Sequence, residues 1–162
     1  MVRASLILGI DPGYGRCGFG LIRANGSDME ARDYGVSTTE AGVELGVRLS
    51  EVARDIEELI EAHKPDLVAI EKLFFTTNAK TAMGVAEARG AILLVCARAG
   101  VRVVEVTPGQ VKSAVTGNGR ADKRAVGEMV VRLTGLKHSP KLDDASDALA
   151  IAIAAVGLRE IR

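Results

Sequence analysis

Apolar residues near the start of the chain follow the spacing of β-strands. Runs at residues 5–10, 18–23 and 31–37 predict three strands. Turn signals separate them: Pro12-Gly13 follows the first run, and Asn25-Gly26, a pair typical of tight hairpins, follows the second. We therefore expect the chain to open with three antiparallel strands.

The middle of the chain alternates between long helical patterns and short apolar runs. Leucine, isoleucine and valine recur at helical spacing over residues 43–63, and residues 78–99 form a second long helical pattern that ends before Gly100. Residues 67–70 are wholly apolar, as buried parallel strands are, and residues 101–106 predict one more strand.

Three further helices are predicted at residues 108–115, 123–134 and 142–156. The resulting order is βββ-α-β-α-β-α-α-α, with no internal repeat or linker. This order predicts one domain over residues 1–162. Its class is α/β, with a mixed five-stranded sheet and helices on both faces.

Composition narrows the class of protein. Hydrophobic residues make up 48% of the chain and aromatic residues only 3%, so we expect an aliphatic core. Cys17 and Cys96 have no zinc-binding spacing, and no apolar run approaches the roughly 20 residues that span a membrane. These features predict a reduced, cytoplasmic protein.

The net charge is zero, but the charges are unevenly distributed. Residues 28–71 carry 12 acids and 4 bases, whereas residues 107–141 carry 7 lysines or arginines and 2 acids. Because phosphate binding depends on local potential, one basic face is sufficient for a nucleic-acid partner. An ordinary solvated face is the alternative interpretation.

Four carboxylates stand where the predicted elements can bring them together. Asp11 and Glu71 each follow an apolar strand, and Asp144 and Asp147 lie three residues apart on the last helix. That spacing places both helix acids on one face. Since neighbouring strand ends of an open sheet meet at one edge, a helix crossing that edge would gather all four.

Each acid also has an ordinary structural interpretation. An aspartate after a strand is usually a turn or cap residue, and acids in a first helical turn complement the helix dipole. Four clustered carboxylates, however, repel one another unless hard cations such as Mg²⁺ or Mn²⁺ neutralise them. Two such ions about 3.5–4 Å apart suit phosphodiester cleavage.

Four segments of the chain, in family order, resemble the RuvC family of Holliday-junction nucleases. The segments are residues 9–13 (GIDPG), 69–71 (AIE) with Phe74, Phe75 and Asn78 after them, 110–112 (QVK) and 144–152 (DASDALAIA). The first segment alone is unspecific, because actin-like ATPases also have an Asp-x-Gly strand end. The last two make the resemblance specific.

The resemblance implies an RNase H-like fold, a homodimer and symmetric nicking of four-way DNA junctions in recombination and repair. It implies that two Mg²⁺ or Mn²⁺ ions are bound by Asp11, Glu71, Asp144 and Asp147. It further implies partners of the RuvA and RuvB type, which drive branch migration.

Aromatic and basic residues supply candidate DNA contacts. The resemblance assigns Phe74 to a DNA-facing segment, where its ring could stack on or wedge between bases, while Phe75 is interpreted equally as core or as DNA-facing. Lys112, which the resemblance maps near the active site together with Lys123, could offset charge on the scissile phosphate as a catalytic residue. Candidate phosphate contacts flank the turn at residues 117–119: Arg120, Lys123 and Arg124.

Three other functions are open at this point. An actin-like ATPase shares the glycine-rich first turn but needs two such domains. The related YqgF-type nuclease shares the fold but is usually shorter, and the Phe74-Phe75 pair and the two helix acids favour RuvC. A non-catalytic junction-binding protein would not need four acids at matching positions.

Overall fold

The computed structural model describes residues 4–74 and 79–158. Its centre is a five-stranded sheet in the order β3-β2-β1-β4-β5. The strands are Ser5–Asp11 (β1), Arg16–Asn25 (β2), Asp28–Thr38 (β3), Leu67–Glu71 (β4) and Arg102–Val106 (β5). The first three are antiparallel, whereas β4 runs parallel to both β1 and β5. The predicted mixed sheet is confirmed.

Five helices complete the predicted order. They are Leu45–His63 (α1), Ala79–Ala99 (α2), Pro108–Thr116 (α3), Lys123–Thr134 (α4) and Asp143–Ala154 (α5). A 3₁₀ turn at Val156–Leu158 follows α5, so the last helix ends two residues earlier than predicted. The predicted first residue of α2, Asn78, lies outside the described residues.

The two faces of the sheet bury separate cores, because side chains alternate along each strand. Ile7 and Leu67 pack with α3, α4 and α5, while their neighbours Leu8 and Val68 pack with α1 and α2. The predicted helices on both faces are confirmed. Residues of odd number in β1 and β4 therefore face α5.

Glycines let α5 lie directly on the sheet. A Cβ atom at Gly9 would collide with the carbonyl oxygen of Ala148, and one at Gly18 with that of Asp144. At Gly20, a Cβ would stand 2.7 Å from the backbone nitrogen of Leu149. This close packing on β1 and β2 fixes where the first turns of α5 lie.

Two turns and the two cysteines complete the description of the fold. Lys64, with φ of 48°, ends α1 in the left-handed conformation, and Gly26 supplies the hairpin turn with φ of 62°. Both cysteines are buried and unpaired. Among residues 4–74 and 79–158, no helix combines the length and apolar character needed to cross a bilayer.

Candidate active site

The two strand acids lie on one face and at one edge of the sheet. Asp11 ends β1 and Glu71 ends β4, and these strands are parallel neighbours. Because side chains alternate, Asp11 shares its face with Ile7, and Glu71 shares the same face with Leu67. Both carboxylates therefore point to the side of the sheet that α5 covers.

A cavity of about 300 Å³ lies between this edge, α5 and the two helices before it. Three of the four predicted acids line it together with two of the predicted bases: Asp11, Glu71, Asp147, Lys112 and Lys123. Asp144 lies one turn before Asp147 and does not line the cavity, although its charge acts on Asp11. Three of the four acids therefore lie around one cavity, and Asp144 lies outside its lining.

The helix acids are paired with cations. Asp147 Oδ2 is 3.3 Å from Lys123 Nζ, and Asp144 Oδ2 is 3.1 Å from Arg16 Nη2. The contact between Asp144 and Arg16 is an ion pair without hydrogen-bond geometry, and Asp144 Oδ2 is buried without a hydrogen bond. Lys123 also lies 3.5 Å from Asp143 Oδ2. Each helix acid therefore has an intramolecular counter-charge.

The strand acids carry negative charge that is poorly compensated. Burial, together with the nearby carboxylates of Glu71, Asp147 and Asp144, raises the pKa of Asp11 to about 7. Burial and the charge of Asp147 also raise the pKa of Glu71, an effect that Lys112 opposes. Such perturbed carboxylates in a cleft are typical of functional sites.

A metal ion has no ready-made set of ligands here. Among the described residues, no three acidic, histidine or cysteine side chains are grouped closely enough to hold one. The physical reason is visible in the ion pairs, since Arg16 and Lys123 draw the two helix acids toward themselves. The four acids share one end of the fold without forming a closed cluster.

The remaining predicted residues surround this cavity or lie near it in sequence. Lys112 belongs to α3, and Lys123 is the first residue of α4. Arg120 and Arg124 are exposed, and Arg124 Nε donates a hydrogen bond of 2.9 Å to Glu128. Phe74 is 51% exposed, whereas Phe75 lies outside the described residues.

The sequence interpretation missed two kinds of residue. Arg16 was not considered, although it shares its face of β2 with Gly18 and so lies beside α5. The role of Gly18 and Gly20 was not predicted either: they allow a helix to approach the sheet. Glycines at alternating positions of a strand are a signal that could have indicated this close packing.

Comparison with known proteins identifies the family. A family model described as "Crossover junction endodeoxyribonuclease RuvC" matches residues 7–155. The chain belongs to the RuvC family. The RuvC of Rubrobacter xylanophilus is 50% identical over 148 residues, which are 91% of this chain and 83% of that protein. The RuvC of Syntrophomonas wolfei is 46% identical over 147 residues, covering 91% and 86% of the two chains.

A solved RuvC structure supports the same assignment. The structure of "T. thermophilus RuvC in complex with Holliday junction substrate" superposes with a TM-score of 0.90 at 32% identity, covering 96% of this chain and 95% of that one. The expected RNase H-like α/β fold is confirmed. The family is one of endodeoxyribonucleases, so this chain is a hydrolytic nuclease that resolves crossover junctions.

Proposed function

We propose that this RuvC protein cuts four-way junction DNA by Mg²⁺-dependent phosphodiester hydrolysis at the cavity between β1, β4 and α5. The observation that carries the proposal is the set of groups lining that cavity, three carboxylates and two lysines. The carboxylates match the ligands of a hard cation, and the lysines match a phosphate. Apolar side chains, among them Val111, Val126 and Ile151, form the rest of the lining.

The residues present fit a divalent cation in their chemistry. All donors are carboxylate oxygens, which Mg²⁺ and Mn²⁺ prefer over nitrogen or sulfur sites. The pKa of Asp11, raised to about 7, reflects burial first and then clustered negative charge, which a cation would relieve. Binding would require Asp147 and Asp144 to exchange Lys123 and Arg16 for the ion, because these pairs hold them apart.

Asp11, Glu71, Asp144 and Asp147 are the residues that would hold the metal, and the family resemblance favours two ions. When bound, such ions lower the pKa of a water molecule and stabilise the leaving oxygen. The chain's own lysines act on the substrate. Lys112 and Lys123 place positive charge at the cavity, where a scissile phosphate develops negative charge during hydrolysis.

Residues around the cavity are proposed to bind the junction. Phe74 follows β4 closely and is half exposed, so its ring is available to stack on a base or enter a base step. The positive charges of Lys123, Arg120 and Arg124 lie near the start of α4 and are suited to phosphates. Binding through such phosphate contacts depends on the salt concentration rather than on the base sequence.

A homodimer is proposed from the exposed face of α2. Met83 is 60% exposed and Leu94 is 52% exposed, and both lie on one side of the helix together with Gly90. A Cβ at Gly90 would meet nothing within 4 Å, so this face is open to a close partner. Two-fold symmetry would supply the two active sites that paired nicks on a junction need.

Further properties remain proposals of the same kind. One domain over residues 1–162 is supported by the continuous sheet and the two cores on its faces. A branch-migration complex of the RuvA and RuvB type, and a cytoplasmic location, are supported by family membership. Sedimentation tests the dimer, which should appear at about 34 kDa, twice the 17.0 kDa chain.

The proposed function is tested by the choice of substrate and metal. The wild-type protein should nick a synthetic four-way DNA junction in Mg²⁺, stop when EDTA is added, and spare a linear duplex of the same sequence. A structured RNA serves as a second control substrate. Preferential cutting of the RNA, or junction cutting that persists in EDTA, would contradict the proposal.

A further inference from the structure

Arg89 lies where arginine is uncommon, on the face of α2 that packs against the sheet. Its side chain is only 17% exposed, and Ala88 and Ile92 beside it are fully buried. Removing a guanidinium from water is costly unless it is paired and hydrogen-bonded. The contacts of Arg89 therefore indicate what it does.

Two strands are contacted by this one side chain. Arg89 Nε donates a hydrogen bond of 3.4 Å to the backbone carbonyl oxygen of Glu71, the last residue of β4. Arg89 Nη2 lies 2.8 Å from Glu105 Oε1 on β5, as an ion pair without hydrogen-bond geometry. The guanidinium thus joins the carboxyl ends of two neighbouring parallel strands.

Arg89 contacts Glu71 from the face of the sheet opposite to the cavity. Its carboxylate faces α5 and the candidate active site, whereas α2 covers the opposite face of the sheet. Arg89 therefore touches the peptide that carries Glu71 and does not line the cavity. Its effect on the cavity acts only through the position of that residue.

We propose that Arg89 is a positioning residue that fixes the end of β4 and thereby aims the Glu71 carboxylate into the metal site. The inference rests on the proposed role of Glu71 as a metal ligand. A purely structural role, anchoring α2 to β5, would account for the pair with Glu105. It gives no reason for the bond to the carbonyl of Glu71.

Arg89→Lys separates these two roles. The lysine keeps the positive charge near Glu105, but its single ammonium group lacks the planar spread that contacts both strands. Arg98→Ala is the matched control, because Arg98 is an exposed arginine in the last turn of the same helix. Glu105→Gln removes the charge of the ion pair and leaves the bond from Arg89 Nε to Glu71.

The primary readout is calorimetric titration of Mn²⁺ alone into DNA-free protein. Loss of a residue that orients a metal ligand typically weakens metal affinity about 10-fold to 100-fold. We expect a weakening of about 10-fold in Arg89→Lys, with junction binding in EDTA unchanged. Glu105→Gln and Arg98→Ala should stay within about 2-fold of wild type, since neither removes the bond to Glu71. Melting curves report whether each variant is folded.

The possible failures are distinguishable. If Arg89→Lys binds Mn²⁺ as tightly as Arg98→Ala, the positioning role is wrong while the nuclease proposal stands. If Arg89→Lys and Glu105→Gln weaken Mn²⁺ binding equally, the ion pair matters and the bond to Glu71 does not, which also overturns the inference. If the wild-type protein neither binds Mn²⁺ nor cuts a junction, both proposals fail together.

Discussion

The two acids at the strand ends and the two acids on α5 are held in different ways. Asp11 and Glu71 are set by the register of parallel β-strands and are partly buried beside other negative charges. Asp144 and Asp147 are carried by a helix and are each paired with a base, Arg16 or Lys123. The strand pair has a fixed backbone, and the helix pair lies on a docked helix with a cationic side chain in contact with each acid.

The difference shows which forces assemble the site. Hydrophobic alternation in β1 and β4 is sufficient to bring the strand acids to one edge. The helix acids arrive only because Gly9, Gly18 and Gly20 let α5 approach the sheet. Electrostatic repulsion among the acids opposes this assembly, and Arg16 and Lys123 reduce it.

The largest expected effect is on the rate of junction cleavage, when a single acid of the strand pair or of the helix pair is neutralised. Glu71→Gln, Asp144→Asn and Asp147→Asn should each slow junction cleavage by about 1,000-fold, because a lost metal ligand removes several kcal/mol of transition-state stabilisation. Junction binding in EDTA should remain. Single-turnover nicking assays measure the rates. An Asp144 variant that cuts at the wild-type rate would remove that residue, which does not line the cavity, from the metal site.

A second prediction separates helix docking from charge. Gly18→Ala should displace α5, because the new Cβ collides with the carbonyl oxygen of Asp144. We expect a loss of about 2 kcal/mol in the free energy of unfolding, the range of overpacked cores, and at least about 10-fold slower cleavage. Gly46→Ala, at an exposed position in the first turn of α1, is the control, since its Cβ meets only ordinary contact at 3.7 Å. Equal melting temperatures for the two variants would contradict the docking account.

A third prediction concerns the strand acids without metal. The folded-state pKa of Asp11 is about 7, above the 3.8 of an unperturbed aspartate, so folding favours its protonated form. The stability of the protein in EDTA should therefore fall as pH rises from about 4 to about 7, and Asp11→Asn should abolish much of that fall. At pH 8, the variant should melt about 5 °C higher than wild type, and near pH 4 the difference should vanish. A variant that is less stable than wild type at pH 8 would show that burial and the neighbouring acids do not destabilise the charged form of Asp11.

The smallest effect is expected on junction binding, when basic residues rather than the four acids are replaced. Replacing Arg120, Lys123 and Arg124 together by alanine should flatten the salt dependence of junction binding, since each lost phosphate contact changes the log–log slope by about 0.9. Replacing Arg23, Arg32 and Lys64, which line one cavity near the start of β1, provides a control with equal charge change. Filter-binding or fluorescence titrations across salt concentrations give the slopes. Equal slopes for the two triple variants would put the DNA surface elsewhere.

Sequence reasoning predicted most of the fold because its elements have strong local signals. All nine predicted elements before α5 have counterparts, and α4 has the predicted bounds. Its start at Lys123 follows from the side chain of Asp122, which accepts a hydrogen bond from the backbone nitrogen of Ala125. Bounds elsewhere shifted by a few residues, because helix ends depend on local capping and fray easily.

The site was only partly predictable for physical reasons. The strand acids follow from alternation and parallel pairing, which are visible in the sequence. The rotamers of Asp144 and Asp147 depend on Arg16 and Lys123, whose distances from α5 are set by tertiary packing. Arg89, on the second long predicted helix, reaches the backbone of Glu71 from the opposite face of the sheet, and no local pattern indicates such a contact.

The most direct measurement of the central claim is the single-turnover nicking rate of Asp11→Asn on a four-way junction in saturating Mg²⁺. Wild type and variant should be compared at concentrations that bind the junction equally, so that binding cannot explain a difference. Because Asp11 ends β1 within the cavity shared by Glu71 and Asp147, the account predicts a rate reduced by about 1,000-fold with binding intact. A variant that nicks at the wild-type rate in Mg²⁺ would contradict the assignment of this cavity as the active site.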